Sequence, residues 1–514
     1  MTQAELSGTG RTAVPSARVL FLSTILIATC GLVYELVAGA LASYLLGDSV
    51  FQFSTIIGAY LTAMGIGSWL SRYLERDLVA RFVEVEIAVA LIGGFEAPIL
   101  FAGFTYTPGF RAVLYIVVAL VGIGVGLELP LLIRILESRT SLKELVARVL
   151  ALDYVGALVA SLLFPLFFLP MVGLLRTSLV LGLVNALVAF WTTFLFDAPA
   201  HVLTRLRLFA GGAVVVLALG LGLAGEAEKR MEADLFADPV VLSIQTSYQR
   251  LVVTHAGGDT RLFIDGALQF SSVDEYRYHE ALVHPPMAAV ASPKRVLVMG
   301  GGDGLAVREV LRHPEVTSVV LVDLDPEMTR LFTERSDLAA LNGASLSDPR
   351  VTVVNTDAFG WVRHYAGEPF DVVISDFPDP NNFGLGKLYS VTFYRLLTRV
   401  LAPGAAVSVQ ATSPLFSPQA YGCIVETMRE AGLAVRPYHA YVPAFGEWGF
   451  VLAGITPIET FRPLPPGLRF LDADTLATLF HFPIDLTPHT DVVNRLDNQL
   501  LVRLYAEDWR EMAR

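Results

Sequence analysis

Five aspartates and one run of glycines hold most of the chemistry this sequence can offer. Gly300-Gly301-Gly302-Asp303-Gly304 ends the apolar run Leu297-Val298-Met299, and a helix-like stretch over residues 305–312 follows. A buried parallel strand hands over to a helix in this way, through a turn where a nucleoside ligand can touch backbone. Glycine allows the close approach and positive φ that such a turn needs. Asp323 ends the next apolar run, roughly 20 residues on, where a carboxylate can accept both ribose hydroxyls. Asp357-Ala358 ends a third, where a carboxylate can accept the exocyclic amine of adenine or cap a loop. Asp325, which precedes Pro326, reads as a helix N-cap instead. The pattern describes a nucleoside site with no pyrophosphate-binding helix, which suits S-adenosyl compounds better than NAD.

A fourth run ends in Ser375-Asp376-Phe377-Pro378-Asp379-Pro380. Two carboxylates three residues apart repel each other unless a cation lies between them or one is protonated. A proline-rich turn with capping aspartates is the other reading of this segment. Asp303 converging on the same sheet edge favours a slot for a cation.

These residues need strand ends to position them. Strands are expected at 296–299, 318–322, 351–354, 371–374 and 405–410, with helices at 307–312, 326–334 and 392–401. Alternating strand and helix predicts a parallel α/β sheet with ligands at the strand C-termini. Ahead of it, residues 239–270 alternate apolar and polar around Gly257-Gly258 and Asp265-Gly266, which predicts a small antiparallel hairpin unit.

The first 225 residues are of a different kind. The chain is 54% hydrophobic and 17% charged, with a mean hydropathy of +0.56, which places it in the membrane class. Seven stretches near 18–45, 51–71, 82–104, 109–136, 149–170, 174–196 and 204–224 are long enough to cross about 30 Å of hydrocarbon as helices. Small residues recur in them (Gly58, Gly65, Gly67, Gly122, Gly124, Gly126), as in closely packed helices. Glu35, Glu128 and Asp153 fall inside spans, where carboxylates pair structurally or line a cation path. Glu84, Glu86 and Glu96 make the third span the least regular.

With seven spans, Arg11, Arg18, Arg72, Arg76, Arg81, Arg134, Arg139, Lys143, Arg148, Arg205 and Arg207 share the side of the N-terminus. Only Arg111, Arg176, Lys229 and Arg230 face the other side. The positive-inside rule then puts the C-terminal domain outside the cell membrane, whereas use of a cytosolic metabolite requires it inside. The expected divisions are a membrane domain at 1–225, a linker at 226–238, a β subdomain at 239–290, a Rossmann-like domain at 291–460 and a tail at 461–514. The net charge of −12 argues against a nucleic-acid partner and fits a cationic ligand. Cys30 and Cys423 lie far apart, so neither a disulfide framework nor a metal cluster is indicated.

Further motifs run in order: Tyr248-Gln249, then Leu262-Phe263-Ile264-Asp265-Gly266 with Gln269, then Asp274-Glu275-Tyr276-Arg277-Tyr278-His279-Glu280. Arg308-Glu309, Leu388-Tyr389-Ser390 and Gln410 join the glycine turn and the aspartates. Over about residues 240–455 the chain resembles the spermidine synthase family of aminopropyltransferases. Its first half resembles the multi-pass bacterial members with a fused membrane domain. The resemblance implies a Rossmann-like fold of the S-adenosylmethionine-dependent methyltransferase kind. It also implies transfer of an aminopropyl group from decarboxylated S-adenosylmethionine to a diamine such as putrescine, giving spermidine and methylthioadenosine, without a metal.

By the same resemblance, Gln249, Gly300, Gly302, Asp323, Asp357 and Ala358 hold the adenosyl part. Gln269, Tyr278, His279, Asp303, Asp376, Asp379 and Gln410 line the amine slot, with Asp376 as proton acceptor. A lipid bilayer and a homo-oligomer are the further partners implied. The family's hydroxyl pair beside the base is Phe377-Pro378 here, its following Gly-Pro segment is Asn382-Phe383-Gly384-Leu385, and Phe445 replaces a frequent tyrosine. Two alternatives stand beside this reading. One is a polyamine-binding or transport-coupled membrane protein, suggested by the carboxylates in spans. The other is an S-adenosylmethionine-dependent methyltransferase, which has no use for paired carboxylates at Asp376 and Asp379.

Overall fold

The computed structural model describes residues 17–46, 49–137, 141–196, 198–488 and 490–512. Arg11 and Arg139 of the charge count lie outside them. The chain divides into two compact units, Met1–Ala237 and Asp238–Arg514.

The described part of unit 1 is helical: α1 (Ala17–Leu46), α2 (Ser49–Leu70), α3 (Leu78–Gly94), α4 (Glu96–Tyr106), α5 (Phe110–Leu136), α6 (Leu142–Leu163), α7 (Leu174–Thr192) and α8 (Ala200–Leu235). Among the described residues, six helices are long and apolar enough to cross a membrane, and a seventh crossing arises only if α3 and α4 count as one. That pair corrects the single span expected over 82–104, because the chain bends by 45° between them. The fifth span runs on through a wide π-helical turn, Phe164–Val172, that accommodates Pro165 and Pro170. Residues 226–235, expected as part of a linker, continue α8 as helix.

The glycines expected to pack helices divide in two. A Cβ on Gly67 would stand 2.1 Å from the Ile123 carbonyl oxygen, and one on Gly126 2.1 Å from that of Met64. The backbones of α2 and α5 therefore touch. Gly58 and Gly65 face open space.

Unit 2 begins with a four-stranded antiparallel sheet in the order β1 (Val240–Gln245), β2 (Arg250–Ala256), β3 (Asp259–Ile264), β4 (Ala267–Ser271). β4 follows the Asp265-Gly266 turn within the β unit expected over 239–270 and runs one residue past it. Helix α9 (Glu275–Ala289) then leads to β5 (Arg295–Gly300), α10 (Leu305–Val310), β6 (Ser318–Asp323), α11 (Pro326–Glu334), α12 (Ser336–Leu341), β7 (Val351–Asn355) and α13 (Ala358–His364). Next come β8 (Phe370–Asp376), α14 (Phe383–Gly386), α15 (Val391–Leu397), β9 (Leu401–Gln410) and α16 (Pro418–Glu430). A hairpin of β10 (Ala434–Val442) and β11 (Gly446–Gly454), then α17 (Ala473–Thr478) and α18 (Leu500–Met512), complete the unit. The helix expected over 392–401 is α-helical to Leu397 and tightens to a 3-10 turn over Thr398–Val400, and Leu401 already belongs to β9.

The second sheet runs β10-β11-β9-β8-β5-β6-β7. Its five strands β5 to β9 are parallel, and the hairpin adds an antiparallel edge. Val296, Leu297, Val298 and Met299 of β5 are fully buried. Alternate residues belong to cores on opposite faces, Val296 and Val298 on one and Leu297 and Met299 on the other. A strand covered on both sides reads as an unbroken apolar run.

Candidate active site

The site is built where parallel neighbours end together. Gly300 of β5 pairs with Asp376 of β8, and Asp323 of β6 with Asn355 of β7. Gly300 has φ +75°, and a Cβ there would lie 2.2 Å from the Asp376 carbonyl oxygen. Only glycine lets the chain leave β5 beside the end of β8. Gly302 donates its N–H to Asp323 Oδ2 at 3.0 Å, and a Cβ on it would meet Asp323 Cγ at 2.7 Å. The glycine turn is thus fitted between two acids.

A cavity of about 390 Å³ opens at these strand ends. Gln249, Gly300, Gly302, Asp323, Asp357 and Ala358 line it, as do Gln269, Tyr278, His279, Asp303, Asp376, Asp379 and Gln410. The thirteen residues assigned to the adenosyl part and the amine slot therefore meet in one place.

On the adenosyl side, Asp325 caps α11 by accepting from the Glu327 N–H at 3.1 Å. Its other oxygen accepts from Gln249 Nε2 at 3.0 Å and Thr246 Oγ1 at 2.8 Å. Burial pushes the Asp323 carboxyl up to about 6, against the N–H bonds from Asp325 and Gly302. Asp357 serves as a cap and also faces the cavity. It caps α13 through the Gly360 N–H at 2.7 Å, pairs with Lys387 Nζ at 2.7 Å, and lines the cavity.

The other side is acidic. Tyr278 Oη donates to Asp376 Oδ1 at 2.6 Å. His279 Nδ1 lies 2.8 Å from Glu275 Oε2, which Arg308 also holds at 2.9 Å. Burial disfavours a charged His279, but the Glu275 carboxylate outweighs it and lifts the imidazole to about 9. His279 therefore stays cationic at neutral pH and partly offsets Asp303 and Asp376. Burial pushes Asp303 up to about 6 against that offset, and raises Asp376 above the usual carboxylate range. Asp379 is also raised to about 6 by burial, although Tyr505, Gln410 and Thr412 donate to it. Three carboxylates facing one imidazolium leave the cavity short of positive charge. Such an excess of negative charge suits a cationic ligand.

Several residues of the site carried no role in the sequence reading. Lys387, beside the quoted Leu388-Tyr389-Ser390, pairs with Asp357. Glu275 and Arg308 brace His279. Tyr505 comes from the tail, to which no role was given: its Oη donates to Asp379 Oδ2 at 2.9 Å. Helix α18 is held for this purpose by Asp508, which accepts from the Gln419 and Ala420 N–H groups at the start of α16. The α-helical spacing of Leu501, Leu504 and Asp508 was the available signal. Asn494 positions the segment before α18 through bonds to the carbonyls of Gly386 at 2.9 Å and Tyr389 at 3.1 Å. Tyr389 in turn donates to the carbonyls of Phe377 and Pro378, steadying the loop between the paired aspartates.

Residues 275–459 match the family described as "Spermine/spermidine synthase domain". The chain is 50% identical over 493 residues to a polyamine aminopropyltransferase of Leptospira interrogans, covering 96% of this chain and 99% of that one. It is 51% identical over 508 residues to polyamine aminopropyltransferase 2 of Ralstonia nicotianae, with 96% and 99% covered. A Mycobacterium tuberculosis polyamine aminopropyltransferase is 40% identical over 512 residues, with 96% of each chain covered. A solved spermidine synthase in complex with the transition state analogue AdoDATO is 27% identical, covering 48% of this chain and 85% of that one at a TM-score of 0.45. Identity along nearly the whole length joins both units to one family: the chain belongs to the polyamine aminopropyltransferases, a family of transferases.

Proposed function

We propose that the protein transfers the aminopropyl group of decarboxylated S-adenosylmethionine to putrescine, giving spermidine and methylthioadenosine. The observation that carries this reading is the meeting of Asp303, Asp376 and Asp379 in one cavity with the ribose acid Asp323. Asp323 receives the ribose hydroxyls, and Asp357 with Ala358 receives the adenine edge. The donor's sulfonium and ammonium are both cationic and suit the acidic side of the slot. An α-carboxylate, as in S-adenosylmethionine itself, would add a repelled anion there.

A diamine is doubly protonated near neutral pH, and only a neutral nitrogen can attack. Asp379, held by Gln410 and Tyr505, anchors the far ammonium. Asp376 takes the proton from the near one, with Tyr278 fixing one of its oxygens and leaving the other for the amine. The nitrogen lone pair then forms a bond to the methylene carbon beside sulfur. The carbon–sulfur bond breaks toward sulfur, and neutral methylthioadenosine leaves. His279 and Asp303 complete the charge balance around the donor's amino end. Unit 1 is a multi-pass domain of the cell membrane, supported by its six apolar helices.

Product analysis tests the chemistry. Purified protein given the decarboxylated donor and putrescine, cadaverine, diaminopropane or spermidine should favour putrescine, and Asp376→Asn should lose about 10²–10⁴-fold in kcat. Full activity in that variant would overturn the mechanism. Resistance to extraction from membranes by alkaline carbonate tests the assignment of unit 1.

A further inference from the structure

Behind the slot lies a buried chain of charged groups to which the reaction described above gives no role. Arg308 of α10 spreads its guanidinium three ways: Nη2 to Glu275 Oε2 at 2.9 Å, Nη1 to the Leu341 carbonyl at 2.7 Å, and Nε to Glu309 Oε1 at 2.9 Å. Glu309 is the next residue, and neighbours on a helix point about 100° apart, so their side chains do not meet by default. The other Glu309 oxygen is taken by His284 Nε2 at 3.2 Å, with Arg312 Nε at 3.6 Å. His284 belongs to α9, as Glu275 and His279 do. The contacts thus leave α9 at Glu275 and return to it at His284.

The surroundings fix where the protons sit. Glu309 is 2% exposed and His284 is fully buried. Burial pushes Glu309 up, but the His284 hydrogen bond and the Arg308 guanidinium outweigh it and hold the carboxyl at about 2. An ionised carboxylate can only accept, so His284 Nε2 carries a proton and donates it. His284 Nδ1 lies 3.0 Å from His313 Nε2. Burial holds His313 down at about 4, with His284 and Arg462 adding to it against Glu315 and Glu309. Arg308, Arg312, His284 and His313 therefore stand around Glu309, and the Glu315–Arg462 pair lies beyond.

The place of this chain gives it a use. Helix α10 starts directly after the glycine turn, and the Arg308 N–H donates to the Gly304 carbonyl at 2.9 Å. Whatever holds Arg308 therefore also holds the turn that carries Asp303 against the helix that carries His279. We propose that Glu309 and His284 are positioning residues for aminopropyl transfer, holding Arg308 in the orientation that keeps Glu275 on His279 and α10 against α9. This inference rests on the aminopropyltransferase reading of the site. Glutamine in place of Glu309 offers one accepting and one donating end, so it cannot accept from both Arg308 and His284. The Arg308 charge, no longer balanced by Glu309, then disfavours a cationic His279.

The test follows His279 directly, by NMR of the full-length protein in detergent with carbon-13-labelled histidine. In Glu309→Gln the His279 titration midpoint should fall from about 9 by roughly one pH unit. Its kcat should fall by up to about 10²-fold, with a smaller change in the putrescine KM. His284→Leu fills the volume but donates nothing, and should shift both readouts the same way. His284→Gln supplies an N–H again and should recover most of the loss. A folded Glu309→Gln that keeps the wild-type His279 midpoint would overturn the proposal, whatever its loss of thermal stability. Should the variants fail to fold, the wild-type protein decides: the Arg308 Nε–H in nitrogen-15 arginine spectra should resist exchange with water, and rapid exchange would equally overturn it. Absence of transfer by the wild-type protein would count against the proposed reaction instead, with the His279 shift still readable.

Discussion

Replacing Tyr505 by phenylalanine removes one hydroxyl and tests how the amine anchor is tuned. Tyr505 Oη donates to Asp379 Oδ2 at 2.9 Å, and Gln410 Nε2 to Oδ1 at 3.1 Å. Asp379 is buried, and burial already lifts it to about 6 despite these donors. A hydrogen bond to a charged group contributes about 1.5–3 kcal/mol. At about 1.4 kcal/mol per pH unit, its loss moves the carboxyl from about 6 to roughly 7–8.

The sign follows from the ligand. An ammonium needs an ionised Asp379, so kcat/KM for the diamine falls as pH drops through the carboxyl's pKa in the free enzyme. The acid limb should therefore move up by roughly one to two pH units in Tyr505→Phe. At pH 7 the ionised fraction drops from about nine-tenths to between a half and a tenth, so kcat/KM falls by roughly 2–10-fold. The ring and its contact with Trp509 remain, with centroids 6.1 Å apart, so packing changes little. Initial rates against putrescine from about pH 5.5 to 9 read the limb, with the donor saturating. An acid limb that stays near pH 6 in the variant would refute the assignment of Asp379 as the ammonium anchor.

Three other perturbations separate the parts of the site. Gly302→Ala drives a methyl into Asp323, and because a displacement of about 1 Å can cost ~10²-fold, the KM for the adenosyl donor should rise at least tenfold with the putrescine KM little changed. Lys387→Met removes an ion pair whose side chains are 36% and 42% exposed, so the donor KM should change by less than about fivefold, consistent with the ~0–1 kcal/mol of such pairs. Asn494→Ala strands two buried carbonyls and the Leu501 N–H, each costing about 1–3 kcal/mol, and should lower the urea midpoint of unit 2 unfolding before it changes kcat.

Much of the site was legible because its parts are local. A glycine turn, an aspartate at each strand end and a histidine within a helical signature are short-range patterns. Parallel pairing then brings the strand ends into register, so Gly300 meets Asp376 although 76 positions separate them. The sheet's antiparallel edge was not legible, since β10 and β11 carry no ligand motif and their alternation is broken by Pro437 and Gly449. The break within the third span was not legible for a similar reason. Glu96 opens a new helix, and composition alone does not show a bend.

By itself the sequence determined the two-unit plan, the α/β class of unit 2 and the acids at its strand ends, because strand-end chemistry repeats at fixed local spacing, while the family resemblance supplied Gln249, Gln269, Tyr278, His279 and Gln410. Only tertiary structure decided what sets the charge of those residues. Tyr505 reaches Asp379 across 126 positions, and Arg308, 33 positions on from Glu275, folds back against the carboxylate that holds His279. Such contacts depend on which helix faces cross, and no periodicity within a single helix records its neighbour.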